Sequence, residues 1–281
     1  MNYICLNGKI VGGAAPLLMA DNRSYRYGDG LFETIKVVNK KISLESYHFE
    51  RLFQSLAMMH FAIPSLFTPD KIRKEIVSLC AKNRCDELAR VRFSVFRGNA
   101  GINESLGDLQ YLIECWPLND SFNYLNENGL VIDVCPDTRK SCDKFSTIKS
   151  ANFLPYVMAA LHAKENQLND AIVLNVHGRI ADSSVANIFI VKGDKLKTPS
   201  LSEGCVNGVM RKFLLDNSKG SGVDLVIEET GLSVDDLSSA DEVFLTNAIS
   251  GIKWVKRFRD KTYTNKISSS IFQKLLEPIW K

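Results

Sequence analysis

In the stretch FSTIKSANFLPYVMAALHA, residues 145–163, Lys149 is the only permanently charged residue among apolar and small neighbours. An ammonium in such surroundings is poorly solvated, which favours its neutral, nucleophilic form and suits it to Schiff-base chemistry. The same pattern also describes a lysine that lays its stem on a core and sends its charge to water, so the stretch alone leaves both readings open. Arg51 in HFERL offers a guanidinium fork that matches a phosphate, and it equally reads as a solvated helix residue. In SEGCVNGVMRK, Gly204 and Gly208 bracket a turn entering a helix, whose free N–H groups and positive dipole end attract anions. Asn247 in LTNAISG faces a loop or simply caps a turn.

These groups have to be held by a mixed set of elements. YICLNG reads as a strand, and LFETIKVVNKKISL as two β-branched runs around a hairpin turn at Asn39, Lys40 and Lys41. In ESYHFERLFQSLAMM, Phe49, Leu52, Phe53 and Leu56 repeat at helical spacing, which predicts one buried stripe and leaves His48, Arg51 and Ser55 on another face. TPDKIRKEIVSLCAKN predicts a second helix with Thr68 as cap and Pro69 in its first turn. ARVRFSVFRG and LQYLIECWPL return to strand. Further on, LVIDVC, DAIVLNV, NIFIV and EVFLTNA are predicted strands; LPYVMAALHAKENQL, GVMRKFLLDNS and SSSIFQKLLEPI are predicted helices. Asn152 and Pro155 are helix-start residues, so Lys149 falls on the connection entering a helix, where chemistry is more often found than in cores.

The fold class expected is α+β in two domains. The polar, Asn-rich segment PLNDSFNYLNENG divides an N-terminal α/β domain, 1–117, from a C-terminal α/β domain, 129–281, with residues 118–128 as linker. At 281 residues, 45% hydrophobic and a net charge of +3, the chain has the composition of a soluble globular protein. Scattered basic residues and the lack of a nucleic-acid motif argue against a polyanion partner, and no apolar run near the length of a membrane span is present. The seven cysteines show no C-x-x-C pair and no His at ligand spacing, so they are expected to be reduced thiols without a metal, in the cytoplasm. No internal repeat is found.

Six segments, RSYRYGDGLFETIKV, HFERL, IKSANFL, GRIADSSVANIFIV, SEGCVNGVMRK and EVFLTNAISGIKWV, stand in the order seen in the class IV (fold type IV) pyridoxal-phosphate enzymes, which the chain resembles from about Asn7 to Val255. That group includes branched-chain and D-amino-acid aminotransferases and aminodeoxychorismate lyase. The resemblance implies pyridoxal 5'-phosphate between two domains, a homodimer and a small amino-acid-like substrate. It assigns Lys149 to the Schiff base and to proton transfer at the substrate, and Arg51, Val209, Met210, Asn247 and Ala248 to the loops that hold phosphate. Many relatives have Thr where Met210 stands, so a backbone contact is expected there. Relatives usually carry Glu at the position of Asp182 to pair with the pyridine nitrogen; a shorter Asp implies a shifted ring or loop, or a bridging water, and otherwise a surface residue with weaker activation.

Within the group, the D-amino-acid enzymes have Arg and His shortly after the RG that corresponds to Arg97 and Gly98, where this chain has Ile102 and Glu104. Branched-chain enzymes usually read FEG, and this chain reads FET. CVNGVMRKF and TNAISGI are similar to stretches of the lyase, and Thr34 matches a Thr assigned there to the departing enolpyruvyl group. The expectation is a lyase of folate biosynthesis forming p-aminobenzoate and pyruvate from 4-amino-4-deoxychorismate, with Lys149 and Thr34 catalytic and Phe32 and Arg92 facing substrate. Strand alternation puts Arg90 and Arg92 on one face and Arg97 on the other. An aminotransferase of relaxed specificity and a cofactor-binding protein without catalysis are the alternatives.

Overall fold

The computed structural model describes residues 2–14, 17–101, 107–218 and 226–280. The stretch holding Ile102 and Glu104 lies outside them. Backbone contacts divide the chain into two compact units, Met1–Asp120 with Ile148–Asn152, and Ser121–Thr147 with Phe153–Lys281.

In the first unit, β1 (Tyr3–Leu6), β2 (Lys9–Gly12), the short helix α1 (Arg23–Tyr27), β3 (Gly30–Val38), β4 (Lys41–Ile42), α2 (Glu45–Met58), α3 (Pro69–Lys82), β5 (Leu88–Arg97) and β6 (Leu109–Pro117) follow in order. The sheet runs β2-β1-β6-β5-β3-β4, and each pairing in it is antiparallel. Asn39 and Lys40, both with positive φ, make the two-residue turn between β3 and β4, the conformation whose twist matches a hairpin. Alternation sends Leu31, Ile35, Val37, Val91, Phe93 and Ile113 to one sheet face, where they pack with Phe49, Leu52 and Leu56 of α2 and Ile72, Ile76 and Leu79 of α3. Thr68 caps α3 by accepting from the Lys71 N–H at 3.3 Å, with Pro69 in the first turn. Both helices stop by the same device: a left-handed residue, His60 after α2 and Arg84 after α3, lets the next N–H reach back to the carbonyl of Leu56 or Cys80.

The stripe on α2 is wider than its spacing predicts. His48 and Ser55, expected on an outer face, are buried. For His48 the reason is a polar partner on the sheet, Glu33.

The second unit holds β7 (Leu130–Lys140), α4 (Leu154–Glu165), β8 (Asp170–Asn175), β9 (Ile180–Ser183), β10 (Asn187–Lys192), β11 (Lys195–Pro199), α5 (Val209–Asn217), β12 (Val226–Thr230), α6 (Val234–Ser239), β13 (Glu242–Asn247), β14 (Gly251–Phe258), β15 (Lys261–Thr262), α7 (Lys266–Ile271), a π-helical turn at Phe272–Leu276 and α8 (Glu277–Trp280). Its sheet order is β12-β11-β10-β13-β14-β7-β8-β9, with β15 on β14. β8 is buried along its whole length and pairs in parallel with β7, as a strand covered on both faces should. One face packs Ile132, Ile172, Ile188, Val243 and Val255 with Leu237 of α6. The other places Ala171 and Val173 against Tyr156, Ala159 and Ala163 of α4.

Residues 121–128 group with this unit, so most of the segment expected as a linker, 118–128, is anchored in it. Asn126 exchanges hydrogen bonds with the Trp254 backbone, and its carbonyl accepts from the Trp254 indole at 2.6 Å. α4 begins one residue later than Asn152 suggests, with Phe153 as a cap that offers no side-chain bond and Pro155 in the first turn.

Candidate active site

In the first unit the site is built on β3. The Phe32 N–H donates to the Lys149 carbonyl at 3.0 Å and the Ala151 N–H to the Gly30 carbonyl at 2.8 Å, so the connection carrying Lys149 is bonded alongside β3. The half-buried Lys149 amine lies 4.6 Å from the centroid of the Phe32 ring, and the Arg92 guanidinium lies 3.7 Å from the same ring. Both cations meet the negative face of an aromatic system. Thr34, half-buried, stands opposite Arg92 in the register of β3 and β5, on the sheet face shared with Phe32. Arg92 therefore joins Phe32, Thr34 and Lys149. Arg97 does not: it lies on the other face, bound to Asp29 and to the Met59 carbonyl.

One residue along β3 the chain faces the opposite way, and Glu33 meets α2. Arg51 donates from Nε at 2.8 Å and from Nη2 to the two carboxylate oxygens, and His48 Nδ1 lies 2.8 Å from Oε2. Burial alone would raise the Glu33 carboxyl; the Arg51 charge and the hydrogen bonds from His48 and Arg51 outweigh it and bring it down to about 2. Burial lowers the His48 imidazole below its ordinary value, a shift that the bond to Glu33 opposes and the charges of Arg51 and Lys149 reinforce. His48 is thus neutral and donates from Nδ1. Arg51, expected at the phosphate, is held along two of its nitrogens by Glu33, which gives it a fixed direction rather than a solvated one.

In the second unit, Asp182 on β9 is buried, and its carboxylate accepts from Asn187 at 2.8 Å, Tyr156 at 2.7 Å, the Val206 N–H at 3.0 Å and Lys140 at 3.1 Å. Burial, then the Asp182 charge, holds the Tyr156 hydroxyl well above its ordinary pKa, so it stays a donor. Asp182 is not a surface residue. Nearby, Gly208 caps α5 without a side chain, leaving the first N–H groups of the helix, those of Val209 and Met210, to an outside acceptor. A Cβ on Gly208 would lie 1.8 Å from Asn187 Oδ1, so only glycine leaves this approach open. The Val209 and Met210 side chains are buried in the core, which limits both to backbone contact. Thr246, in register with Asn187, is buried with an unpartnered hydroxyl. Neighbouring Asn247 uses its side-chain oxygen on the N–H groups of Ile249 and Ser250 and so caps the turn that follows, next to half-buried Ala248.

A phosphorylated aromatic aldehyde requires an amine, anion-binding donors and a partner for its ring nitrogen. Lys149 fits the first; the uncapped start of α5 and the orphaned Thr246 hydroxyl fit the second. Asp182 fits the third. Three of its four donors, Tyr156, the Val206 N–H and Lys140, converge on Oδ2, while Oδ1 accepts only from Asn187 and so keeps an acceptor position for a ring N–H. Thr246, Lys140 and Tyr156 escaped sequence reasoning, because a Thr in a strand reads as a β-former and the other two lie far from Asp182 in the chain.

The first unit presents a half-buried amine, and the second an uncapped helix start beside a buried carboxylate. The chain belongs to the class IV aminotransferase family, whose model matches residues 30–258. A Methanocaldococcus jannaschii protein named as a branched-chain-amino-acid aminotransferase is 28% identical over 276 residues, 98% of this chain and 94% of that one. The aminodeoxychorismate lyase of Vibrio harveyi is 29% identical over 235 residues, 82% and 83% of the two chains. Among solved structures, Escherichia coli branched-chain amino acid aminotransferase superposes with a TM-score of 0.85 at 22% identity, covering 98% of this chain and 95% of that one. The 4-amino-4-deoxychorismate lyase of Pseudomonas aeruginosa gives 0.81 at 24%, covering 98% and 99%. These superpositions show a shared fold, that of fold type IV enzymes, and the protein is an enzyme of the pyridoxal-phosphate-dependent family. No helix among the described residues is long and apolar enough to cross a membrane.

The Glu33 cluster has a measurable consequence. Its folded-state pKa lies below the ordinary 4.5, so the stability it contributes is complete above that pH and is lost as pH falls toward 2. Glu33→Gln should cost about 3 kcal/mol near neutrality, because it strips a buried pair of its anion. In urea unfolding the gap between wild type and variant should narrow below about pH 4.5; a gap independent of pH would contradict the assignment.

Proposed function

We propose that the protein is a pyridoxal-phosphate-dependent lyase that converts 4-amino-4-deoxychorismate into p-aminobenzoate and pyruvate, a step of folate biosynthesis. The observation that carries this reading is the grouping of Arg92, Lys149 and Thr34 around Phe32: a carboxylate partner, an amine and a hydroxyl surround one flat apolar surface. The substrate has two carboxylates, an amine and a planar ring to match them.

When bound, the cofactor supplies an electron sink for the carbon that carries the substrate nitrogen. On this reading Lys149 removes the proton from that carbon, Phe32 supports the ring, and Arg92 holds a carboxylate as a charge-assisted pair. Thr34 donates its proton to the departing three-carbon fragment, and aromatisation of the ring drives the step. Arg51 and the amides of Val209 and Met210 are assigned to the phosphate, and Asp182, through Oδ1, to the ring nitrogen.

An aminotransferase is the second reading, favoured by the archaeal relative that matches this chain almost end to end. Purified holoenzyme incubated with aminodeoxychorismate should release pyruvate, and branched-chain amino acids with 2-oxoglutarate should give no glutamate. Glutamate formation without pyruvate would overturn the lyase in favour of the transaminase. Absence of both products would leave only cofactor binding.

The reading includes a homodimer in the cytoplasm. On α4, Leu154, Val157, Met158 and Leu161 recur at one-turn spacing and are 68%, 47%, 41% and 44% exposed, while the opposite face packs in the core. A helix that is apolar all round is normally covered, and a second copy of the chain is the occupant proposed. Sedimentation should show the wild type as a dimer and a Leu154→Glu/Leu161→Glu double variant as a monomer. A variant that remains dimeric would move the interface elsewhere.

A further inference from the structure

Away from the Lys149 face, the first unit brings together three cysteines that are distant from any pairing motif in sequence. Cys80 is in the last turn of α3, Cys85 follows the helix and Cys115 lies on β6. The helix stop described above makes the first contact: Arg84 is left-handed, the Cys85 N–H bonds to the Cys80 carbonyl at 3.0 Å, and the two side chains meet, as residues at these places of the motif commonly do. Alternation on β6 then points Cys115 to the same core face as Tyr111 and Ile113. The three sulfurs lie within 4.8 Å of one another, with Cys85 and Cys115 3.6 Å apart. All three thiols are free and buried.

Packing of small apolar side chains accounts for burial, but not for a third feature. Asn83, the residue that ends α3, donates from its side-chain amide to Cys115 Sγ at 3.2 Å while its other contacts tie it to the Tyr3 backbone. A donor fixed on a sulfur favours the thiolate. An amide held there suits a sulfur that carries negative charge, as a metal-bound thiolate does.

We infer that Cys80, Cys85 and Cys115 form a binding site for a soft monovalent metal ion of the Cu(I) type, coordinated by three sulfurs. An ion at the centre of three thiolates with metal–sulfur bonds of about 2.3 Å requires sulfurs about 4.0 Å apart, within the spacing observed. Structural zinc demands four ligands, and the group among the described residues offers three; three-coordinate thiolate sites suit Cu(I). Binding replaces thiol protons, which pass to solvent, and moves no electrons. The site is separate from the Lys149 face: Cys115 pairs with Val91 and Val91 with Ile35, on the side of the sheet that carries α2 and α3.

The test is titration of the reduced, full-length protein with Cu(I) under anaerobic conditions against the chelator bicinchoninate. One Cu(I) per chain is expected, with an ultraviolet sulfur-to-copper band. Cys142→Ser, which alters the half-buried cysteine of the other unit, should retain that site, and Cys85→Ser should lose at least tenfold in affinity. X-ray absorption on the wild type keeps the question open to refutation if Cys85→Ser fails to fold: three sulfurs near 2.3 Å support the site. Two-sulfur coordination, equal binding by Cys85→Ser, or a Zn(II) titration that displaces Cu(I) would overturn it.

Discussion

Two backbone hydrogen bonds, Phe32 to Lys149 and Ala151 to Gly30, determine where the reactive amine can be. They bond the connection before α4 to the start of β3, although the residues on either side of 148–152 belong to the second unit. Once that connection is held, the two-residue period of β3 distributes the remaining roles. Phe32 and Thr34 face one way, toward Arg92 and the amine; Glu33 faces the other, toward Arg51 and His48. A one-residue slip in β3 would exchange the two sets, so the hairpin turn at Asn39 and Lys40, which pins the register, bears on the chemistry as well as on the fold.

The two carboxylates closest to the proposed chemistry, Glu33 and Asp182, are both buried, and each is handled in its own way. Glu33 takes a guanidinium and an imidazole; Asp182 takes an ammonium, a phenol, an amide and a backbone N–H. A buried charge without such partners would be destabilising by several kcal/mol, so the donors are required by the burial itself. The missing methylene of Asp182 relative to the family's Glu is met by partners that come to it: Tyr156 reaches from α4 and Lys140 from the end of β7.

Much of this organisation was legible in the chain because local rules are strong where they apply. The β3 and β5 alternation, the Thr68–Pro69 start of α3 and the glycine before α5 follow from side-chain period and capping alone. The anchoring of residues 121–128 was not legible, since Asn-rich polarity does not reveal that Asn126 binds the Trp254 backbone. His48 was set on another face from the buried stripe because helical spacing counts apolar residues and cannot anticipate a carboxylate arriving from a strand. Cys115 beside Cys80 and Cys85, and Thr246 beside Asn187, are products of tertiary pairing between residues tens of positions apart. Lys149 itself was visible as a chemical oddity, but the bonds that hold it to β3 were not.

The central claim is that Lys149, rather than buried Lys140 or any other amine, condenses with the aldehyde of pyridoxal phosphate. Borohydride reduction of the cofactor-loaded protein, followed by proteolysis and mass mapping, tests it directly. The pyridoxyl mass should be found on the peptide that contains Lys149 and be absent from the one that contains Lys140. A label on Lys140, or one spread over many lysines, would contradict the account.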